Sequence, residues 1–342
     1  MSLSNIGEKS KPEKYINLKT AFPNRVKNNR MIVTLKTNSV RPSPDNGTPA
    51  EASGNASFIL HEKGYRRYHA EGTGALSIKS FYNGRAFYEV GRGRFAVDDN
   101  SYLILNQGQP YSITIDSASP MESFCIFFAG GFAEEVHRSL NTNTARLVDA
   151  PQTSAAPAIN FFEKIYPHDD ILSPTLRNFR AALAQRKDEP GWIQEQLHKI
   201  MQRLLCIHRQ IYKEVEALHA VRAATREELY RRLHRAKDYA HAMFDQPITL
   251  DEMAQIACLS PNHFLRTFRQ IFRQSPHQYL TALRLERAQK LLAGTALSVT
   301  EVCYAVGFAS LGSFSWLFRR RFGISPEAYR QRKMQKATSQ ER

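Results

Sequence analysis

The C-terminal third of the chain contains two copies of one segment, and this repeat constrains the fold more than any other feature of the sequence. The first copy reads ITLDEMAQIACLSPNHFLRTFRQIFRQSPHQY, and the second reads LSVTEVCYAVGFASLGSFSWLFRRRFGISPEAY. Upstream, Glu252 matches Glu301 with an offset one residue shorter than downstream, which places the extra residue in the turn of the second copy. One supersecondary unit therefore occurs twice. The downstream halves share seven residues at a constant offset: Phe264, Phe268, Arg269, Phe272, Ser275, Pro276 and Tyr279 are matched by Phe314, Phe318, Arg319, Phe322, Ser325, Pro326 and Tyr329.

Each copy has the pattern of a helix, a tight turn and a second helix. In the first copy, Ser260 is a suitable N-cap for the second helix, and Pro261 fits its first position. At 3.6 residues per turn, the repeated phenylalanines lie on one face of this helix, while polar and cationic residues lie opposite. We therefore interpret the phenylalanines as core and the opposite faces as surfaces that enter the major groove of DNA.

The predicted DNA-contacting residues lie on these outer faces. In the first copy, Asn262 and Arg266 can pair bidentately with adenine and guanine. The corresponding positions of the second copy are Gly312 and Trp316, and we expect Trp316 either to contact a thymine methyl group or to pack inward. The full predicted set is Asn262, Leu265, Arg266, Arg269 and Arg273 in the first copy, and Leu311, Gly312, Ser313, Ser315, Trp316, Arg319 and Arg320 in the second.

The two copies are joined by a predicted helix that Ser275 and Pro276 open and Gly294 closes. At a rise of 1.5 Å per residue, its body spans roughly 25 Å. Such a rod suits two recognition helices that lie about 34 Å apart, one turn of DNA, in successive major grooves.

The charge distribution fits a partner that is a polyanion. The chain has a formal net charge of +15, and residues 221–342 carry 20 Lys and Arg against 10 Asp and Glu. The basic excess therefore lies mainly in the region of the repeat, as expected for a DNA-binding domain.

Residues 227–332 resemble the DNA-binding domain of AraC-type regulators, and VGFASLGSFSWLFRRRFGISPEAYR is similar to the signature segment of that family. The resemblance covers about a third of the chain. It implies a sequence-specific transcription regulator with a cupin-like N-terminal barrel that binds an effector, followed by helices that dimerise. The chain departs from the family pattern at Cys258 and Arg273, where glycine is frequent in turns, and at Trp316, where many relatives carry a basic residue.

The N-terminal half has the pattern of short strands. Residues 58–128 contain the runs ALSIKSFY, AFYEV, RFAV, SYLILN, YSITI and ESFCIFF, separated by turn signals such as Asn83-Gly84. Closely spaced strands predict a small antiparallel barrel or sandwich. The whole chain is then a multi-domain α+β protein: a flexible polar tail at 1–57 with one short ordered piece near 31–36, a cupin-like barrel at 58–160, a helical region at 161–222 and an all-α double helix-turn-helix domain at 223–335.

Aromatic residues at alternating strand positions suggest an effector site in this barrel. A pocket for a small organic molecule needs an apolar lining with a few polar groups. Filled core is the alternative role for such residues. The predicted effector-binding residues are Phe81, Tyr88, Tyr102 and Tyr111.

A long helical stretch at 192–221 carries apolar residues at alternating steps of four and three, which is the spacing of a coiled-coil seam. This spacing predicts a homodimer that pairs through the stretch, and packing on the chain's own barrel is the alternative. A histidine in the seam would weaken pairing when it is protonated near pH 6. The predicted dimerisation residues are Leu197, Met201, Leu204, His208 and Ile211.

Two classes of enzyme are the alternatives: a metal-using cupin joined to a DNA-binding domain, and a DNA-alkyl-transfer protein. The first needs clustered histidine and glutamate ligands, and the second needs an activated cysteine in a Pro-Cys-His type setting. The sequence offers neither, and its four cysteines are scattered. A passive nucleoid-binding protein would not need the barrel. We therefore predict no catalytic residue, no metal and no cofactor.

The start of the chain lacks the apolar core of a signal peptide, and its apolar runs are too short for a membrane span. We expect a cytoplasmic protein with double-stranded DNA as partner, together with RNA polymerase if it is an activator. The identity of the effector, the target genes, and activation against repression stay open.

Overall fold

The computed structural model describes residues 29–34, 56–141, 158–187, 189–218 and 222–340. In these ranges an N-terminal antiparallel sheet is followed by helices that cover it and then by a helical C-terminal domain. Most of the predicted flexible tail lies outside the described residues.

In the described part of the chain the sheet contains eight strands, and all their pairings are antiparallel. The strands connect in the order β1, β2, β7, β3, β6, β8, with β4 paired to both β5 and β7. The strand near the expected ordered piece of the tail, β1, pairs with the start of β2. The strands are β1 (Asn29–Thr34), β2 (Phe58–Thr73), β3 (Ser77–Tyr82), β4 (Arg85–Val90), β5 (Gly93–Asp98), β6 (Ser101–Leu105), β7 (Pro110–Phe127) and β8 (Ile165–Pro167).

The long pair of β2 and β7 folds the sheet into two facing halves. The register between them shifts at Lys63, Tyr65 and Arg67, and one half of β7 pairs with β3 while the other half pairs with β4. Within the described ranges, β5 pairs only with β4, and β8 pairs only with β6. The sheet is therefore folded but open, and the prediction of a closed barrel is corrected. Irregular register bends two long strands, so that one ribbon serves both halves without closure.

The alternation of side chains divides the sheet residues between two cores. One core lies between the folded halves and includes Phe81, Tyr88 and Phe95. The other lies between the sheet and the helices and includes Tyr102 and Phe124. Neighbouring residues of one strand point to opposite faces, so β2, β3, β6, β7 and β8 each contribute to both cores.

Among the described residues, three helices cover the sheet: α1 (Phe132–Asn141), α2 (Ser173–Arg186) and α3 (Pro190–Glu216). The apolar seam that predicted dimerisation lies along α3, and it packs into the core between sheet and helices. The prediction that this seam pairs with another chain is therefore corrected, because the chain's own sheet and helices already cover the seam. The buried seam residues are Leu197, Met201, Leu204 and Ile211.

The histidine of the seam, His208, lies against aromatic rings of the same chain. Its ring centroid is 5.0 Å from that of Phe161 and 4.8 Å from that of Tyr212. Burial, together with the nearby His137, lowers the pKa of His208 to about 4. The prediction that His208 is protonated near pH 6 is therefore also corrected.

The C-terminal domain consists of seven helices in its described part. Each helix-turn-helix unit has a core of its own, with Phe264 and Phe268 in the first and Phe314 and Phe318 in the second, all fully buried. The helices are α4 (Ala223–Ala242), α5 (Leu250–Ile256), α6 (Pro261–Phe272), α7 (Pro276–Gly294), α8 (Val299–Ala305), α9 (Leu311–Phe322) and α10 (Pro326–Gln340). The predicted double helix-turn-helix architecture is confirmed.

The helix boundaries follow from their caps. Ser275 and Gln278 form a capping box at the start of α7, and Ser298 and Glu301 form one at the start of α8. With 19 residues, α7 is about 28 Å long, and it connects the two units as one rod.

Candidate nucleic-acid interface

The recognition helix of the first unit, α6, presents its polar face to solvent. Phe264 and Phe268 anchor the opposite face, with ring centroids 5.4 Å apart. Of the predicted DNA-contacting residues in this unit, Leu265 is half-buried. The other four, Asn262, Arg266, Arg269 and Arg273, are all exposed.

The recognition helix of the second unit, α9, is anchored in the same way and exposes a different chemistry. The indole of Trp316 is 60% exposed, so the alternative in which it packs inward does not occur. The guanidinium of Arg320 lies 5.2 Å from the centroid of this indole, within the range of a cation–π contact. Ser315 is half-buried, and the remaining predicted residues, Leu311, Gly312, Ser313, Arg319 and Arg320, are exposed.

The outer arginines carry uncompensated positive charge. Among the ion pairs of the described residues, none includes Arg266, Arg269, Arg273, Arg319 or Arg320. The neighbouring Arg321, by contrast, pairs with Glu286 of α7 at 3.2 Å. Exposed and unpaired guanidinium groups at these positions are available to phosphates and to base edges.

The turns of the two units have matching backbone geometry but different residues. In the second unit, Gly307 and Gly323 adopt φ of 85° and 79°. In the first unit, Cys258 and Arg273 stand at the equivalent positions, with φ of 51° and 56°. The first unit therefore keeps the left-handed turns of the repeat with side chains that disfavour this conformation.

Three of the four predicted effector-binding residues line one cavity between the folded halves of the sheet. Phe81, Tyr88 and Tyr111 lie in its wall, and its volume is about 90 Å³. Tyr102 lies in the other core, where its hydroxyl donates to Asp169 Oδ2 at 2.9 Å. Its assignment to the effector site is therefore corrected. The residues next to Tyr102 on β6 face the cavity side instead, because successive side chains of a strand point to opposite faces of the sheet.

Sequence reasoning missed Lys79, which also lines this cavity. A lysine in a strand is usually exposed, so the sequence did not indicate that Lys79 lines a cavity. A signal was present nonetheless, because Lys79 and Phe81 are two residues apart on β3 and alternation places both side chains on one face.

Polar contacts join the sheet to the DNA-binding domain. Asp98 of β5 accepts a hydrogen bond from Arg287 of α7. At the edge strand β8, the backbone N–H of Ile165 donates to Asp238 Oδ2 of α4 at 3.0 Å. Lys164 Nζ lies 3.0 Å from the hydroxyl of Tyr230, also on α4. The domain that carries the recognition helices is thereby fixed to the sheet.

Within the described residues, no group of three or more His, Cys, Asp or Glu side chains is arranged to hold a metal ion. No helix in these ranges has the length and apolar character of a membrane span.

Comparisons with known proteins agree with the helical architecture of the C-terminal region. Residues 253–332 match the family model of a helix-turn-helix domain. The HTH-type transcriptional regulator ArgR of Pseudomonas aeruginosa is 38% identical over 85 residues, which are 25% of this chain and 26% of that protein. The HTH-type transcriptional regulator GbdR of Pseudomonas aeruginosa strain UCBPP-PA14 is 40% identical over 90 residues, which are 26% of this chain and 24% of that protein.

A solved structure of a transcriptional regulator (AraC-type DNA-binding domain-containing proteins) from Chromobacterium violaceum is 29% identical. The match covers 33% of this chain and 96% of the chain in that structure, with a TM-score of 0.29. The chain spans about a quarter of the length of the curated relatives it matches. The C-terminal region of the chain is therefore similar to the helix-turn-helix domains of known transcriptional regulators.

Proposed function

We propose that this protein is a sequence-specific transcription regulator that binds double-stranded DNA through α6 and α9 in successive major grooves. The observation that carries the proposal is the pair of exposed recognition faces, whose arginines have no carboxylate partner among the described residues. A single helix, α7, holds the two units, and its length is close to the spacing of adjacent grooves. The curated relatives of this region are named as transcriptional regulators.

The two units divide the work of recognition. Asn262 and Arg266 of α6 have the geometry for bidentate pairing with adenine and guanine. The face of α9 offers glycine, serine and Trp316 toward the bases, followed by Arg319 and Arg320. The first unit therefore reads most of the sequence, while the second supplies phosphate contacts and fixes the register.

The cavity between the sheet halves is the proposed effector site. Its wall is largely aromatic and aliphatic and contains Phe81, Tyr88 and Tyr111, as expected for a site that takes a small organic molecule. Tyr88 pairs with Phe95 of β5, and β5 ends at Asp98, which contacts α7. A ligand that shifts β4 against β5 therefore has a short physical route to the DNA-binding domain.

The proposal assigns the chain no enzymatic role and places RNA polymerase among the partners if the protein activates transcription. A homodimer is retained as a prediction, with a surface other than the buried seam of α3. Sedimentation of the full chain at micromolar concentration decides this point.

Protection mapping tests the proposed function directly. DNA that flanks the protein's own gene is footprinted with the full chain and with the variant Asn262→Ala/Arg266→Ala. We expect a protected region with two segments about one helical turn apart, and we expect the variant to lose the segment read by α6. Lys199→Ala is the matched control, because Lys199 is an exposed basic residue on α3 that pairs with Glu195. Uniform protection of all DNA, or equal protection by the variant, contradicts the proposal.

A further inference from the structure

The cavity in the sheet contains a buried ammonium group. Lys79 of β3 is 2% exposed, and its Nζ lies 3.6 Å from the centroid of the Phe127 ring and 5.4 Å from that of Tyr111. On the neighbouring strands Lys79 stands opposite Leu103 and Cys125. Aromatic faces attract a cation, but they do not replace the hydrogen-bond acceptors that it has in water.

No ion pair in the described part of the chain includes Lys79. Burial lowers the pKa of Lys79 to about 8, so the group still carries a positive charge at neutral pH. The acidic residue in the cavity wall is Glu71, whose side chain is largely exposed and lies 3.9 Å from His69. A buried cation without an anion is unfavourable, and a ligand can provide the missing charge.

A second polar group points to the same ligand. Ser123 of β7 lines the cavity, is 2% exposed, and its Oγ has no hydrogen-bond partner among the described residues. Ser123 is two residues from Cys125, which stands opposite Lys79, so Ser123 and Lys79 are diagonal neighbours on one face of the β3–β7 pair. A buried hydroxyl donor beside a buried ammonium is an arrangement that a carboxylate satisfies at both oxygens.

We propose that this cavity binds a short-chain organic monocarboxylate, whose carboxylate contacts Lys79 and Ser123 and whose apolar part packs among Phe81, Tyr88 and Phe127. The proposal rests on the effector role proposed above. A singly charged ligand is favoured over a phosphate dianion, because one lysine faces the cavity and most of its wall is apolar. A volume of about 90 Å³ corresponds to about three water molecules of roughly 30 Å³ each, which fits a ligand with few heavy atoms.

Titration calorimetry on the full chain tests the proposal with butyrate as probe and butyramide as its neutral analogue of similar size. We expect butyrate to bind with one site per chain and at least tenfold more tightly than butyramide, since a charge-assisted hydrogen bond is lost in the amide. Lys79→Met should weaken butyrate binding at least tenfold, and Ser123→Ala should weaken it by a smaller factor. Lys199→Met removes an exposed lysine from α3 and should leave binding unchanged.

Circular dichroism of each variant establishes that it is folded. If Lys79→Met does not fold, Ser123→Ala still provides the test. Equal affinity for acid and amide, or unchanged binding in both cavity variants, overturns the assignment, as does failure of butyrate, propionate and hexanoate to bind. DNA affinity with and without saturating butyrate is measured separately. Carboxylate binding that leaves DNA affinity unchanged supports the ligand class and contradicts the effector role. Butyramide that binds as tightly as butyrate and changes DNA affinity supports the effector role and overturns the ligand class.

Discussion

Asp98, the last residue of β5, and Arg287, in the middle of α7, form a buried ion pair that joins the folded sheet to the rod between the two recognition units. The other carboxylate oxygen of Asp98 accepts a hydrogen bond from the backbone N–H of Asn100 at 2.9 Å. The Nε2 atom of His241 lies 3.7 Å from Asp98. The contact therefore fixes α7 relative to the sheet at a point where charge is poorly solvated.

Removal of either partner of this pair should be strongly destabilising. We expect Asp98→Ala and Arg287→Ala each to lower the free energy of unfolding by about 3–5 kcal/mol, because the remaining charge stays buried and unpaired. The double variant should lose less than the sum of the two. Urea unfolding of the four proteins gives the coupling energy. The exposed pair Arg321 and Glu286 serves as control, since Arg321→Ala should cost no more than about 1 kcal/mol. Additive losses at Asp98 and Arg287 would show that the pair is not coupled.

Base reading and phosphate contact should separate between the two recognition helices. Arg266→Ala should cost about 1–3 kcal/mol of DNA binding and relax the preference at one base position. Arg320→Ala should weaken binding to all sequences similarly and lower the salt dependence by about one unit. Selection from a randomised site library at several salt concentrations measures both effects. An intact preference in Arg266→Ala, or a changed base in Arg320→Ala, contradicts the division.

The exposed indole of Trp316 should matter for DNA and hardly at all for folding. Trp316→Ala should change the free energy of unfolding by less than about 0.5 kcal/mol, because the side chain lies at the surface. The same variant should lower DNA affinity, with the largest loss at sites that carry thymine under α9. Phe314→Ala, in the buried face of the same helix, should cost about 3–5 kcal/mol of stability. Chemical denaturation and DNA titration of both variants distinguish the two roles, and unchanged DNA affinity in Trp316→Ala refutes the contact.

The two glycine turns of the second unit should respond differently to alanine. A Cβ at Gly307 would lie 2.7 Å from the carbonyl oxygen of Asp245, whereas a Cβ at Gly323 has open space. Gly323→Ala should therefore cost only the strain of the left-handed backbone, about 1–2 kcal/mol, and Gly307→Ala should cost more. In the first unit, Cys258→Gly should raise stability by about 0.5–1 kcal/mol. Thermal unfolding ranks the three variants, and equal losses for the two alanine variants contradict the steric argument.

Stability should fall in mild acid because of a buried histidine at the joint between the domains. Burial lowers the pKa of His241 from 6.5 to about 4, an effect strengthened by Arg85. The unfolded chain therefore binds a proton at this site before the folded chain does, and the stability present above pH 6.5 is lost as pH falls toward 4. The loss amounts to about 3 kcal/mol over this window. Urea unfolding between pH 7.5 and 4.5 measures the slope, and His241→Gln should reduce it. The same slope in both proteins would exclude His241 as its source.

The sequence predicted the DNA-binding half well because local pattern decides it. Repeated phenylalanines at helical spacing define the buried faces of α6 and α9. The residues opposite them are therefore exposed, and this does not depend on contacts with distant parts of the chain. The family resemblance marked Cys258 and Arg273 as turn positions, and the structure gives both a left-handed backbone.

Residues that depend on contacts distant in sequence were predicted less well. Alternation places Tyr102 on one face of β6, but it does not say whether cavity or helices cover that face. The seam through Leu197 shows an apolar stripe in the same way without showing what packs on it. The ion pair of Asp98 and Arg287 joins residues 189 positions apart, and no local pattern relates them.

The hydrogen bond from Ile165 of β8 to Asp238 of α4 has a consequence for how the molecule unfolds. A backbone N–H of the outermost strand on one side of the sheet finds its acceptor on a helix of the DNA-binding domain. This hydrogen bond therefore links the edge of the sheet to that domain. Heat or denaturant that melts α4 also removes a partner from the backbone of β8. We therefore expect a single cooperative transition in calorimetry, although a boundary read from composition would separate the chain into independent modules.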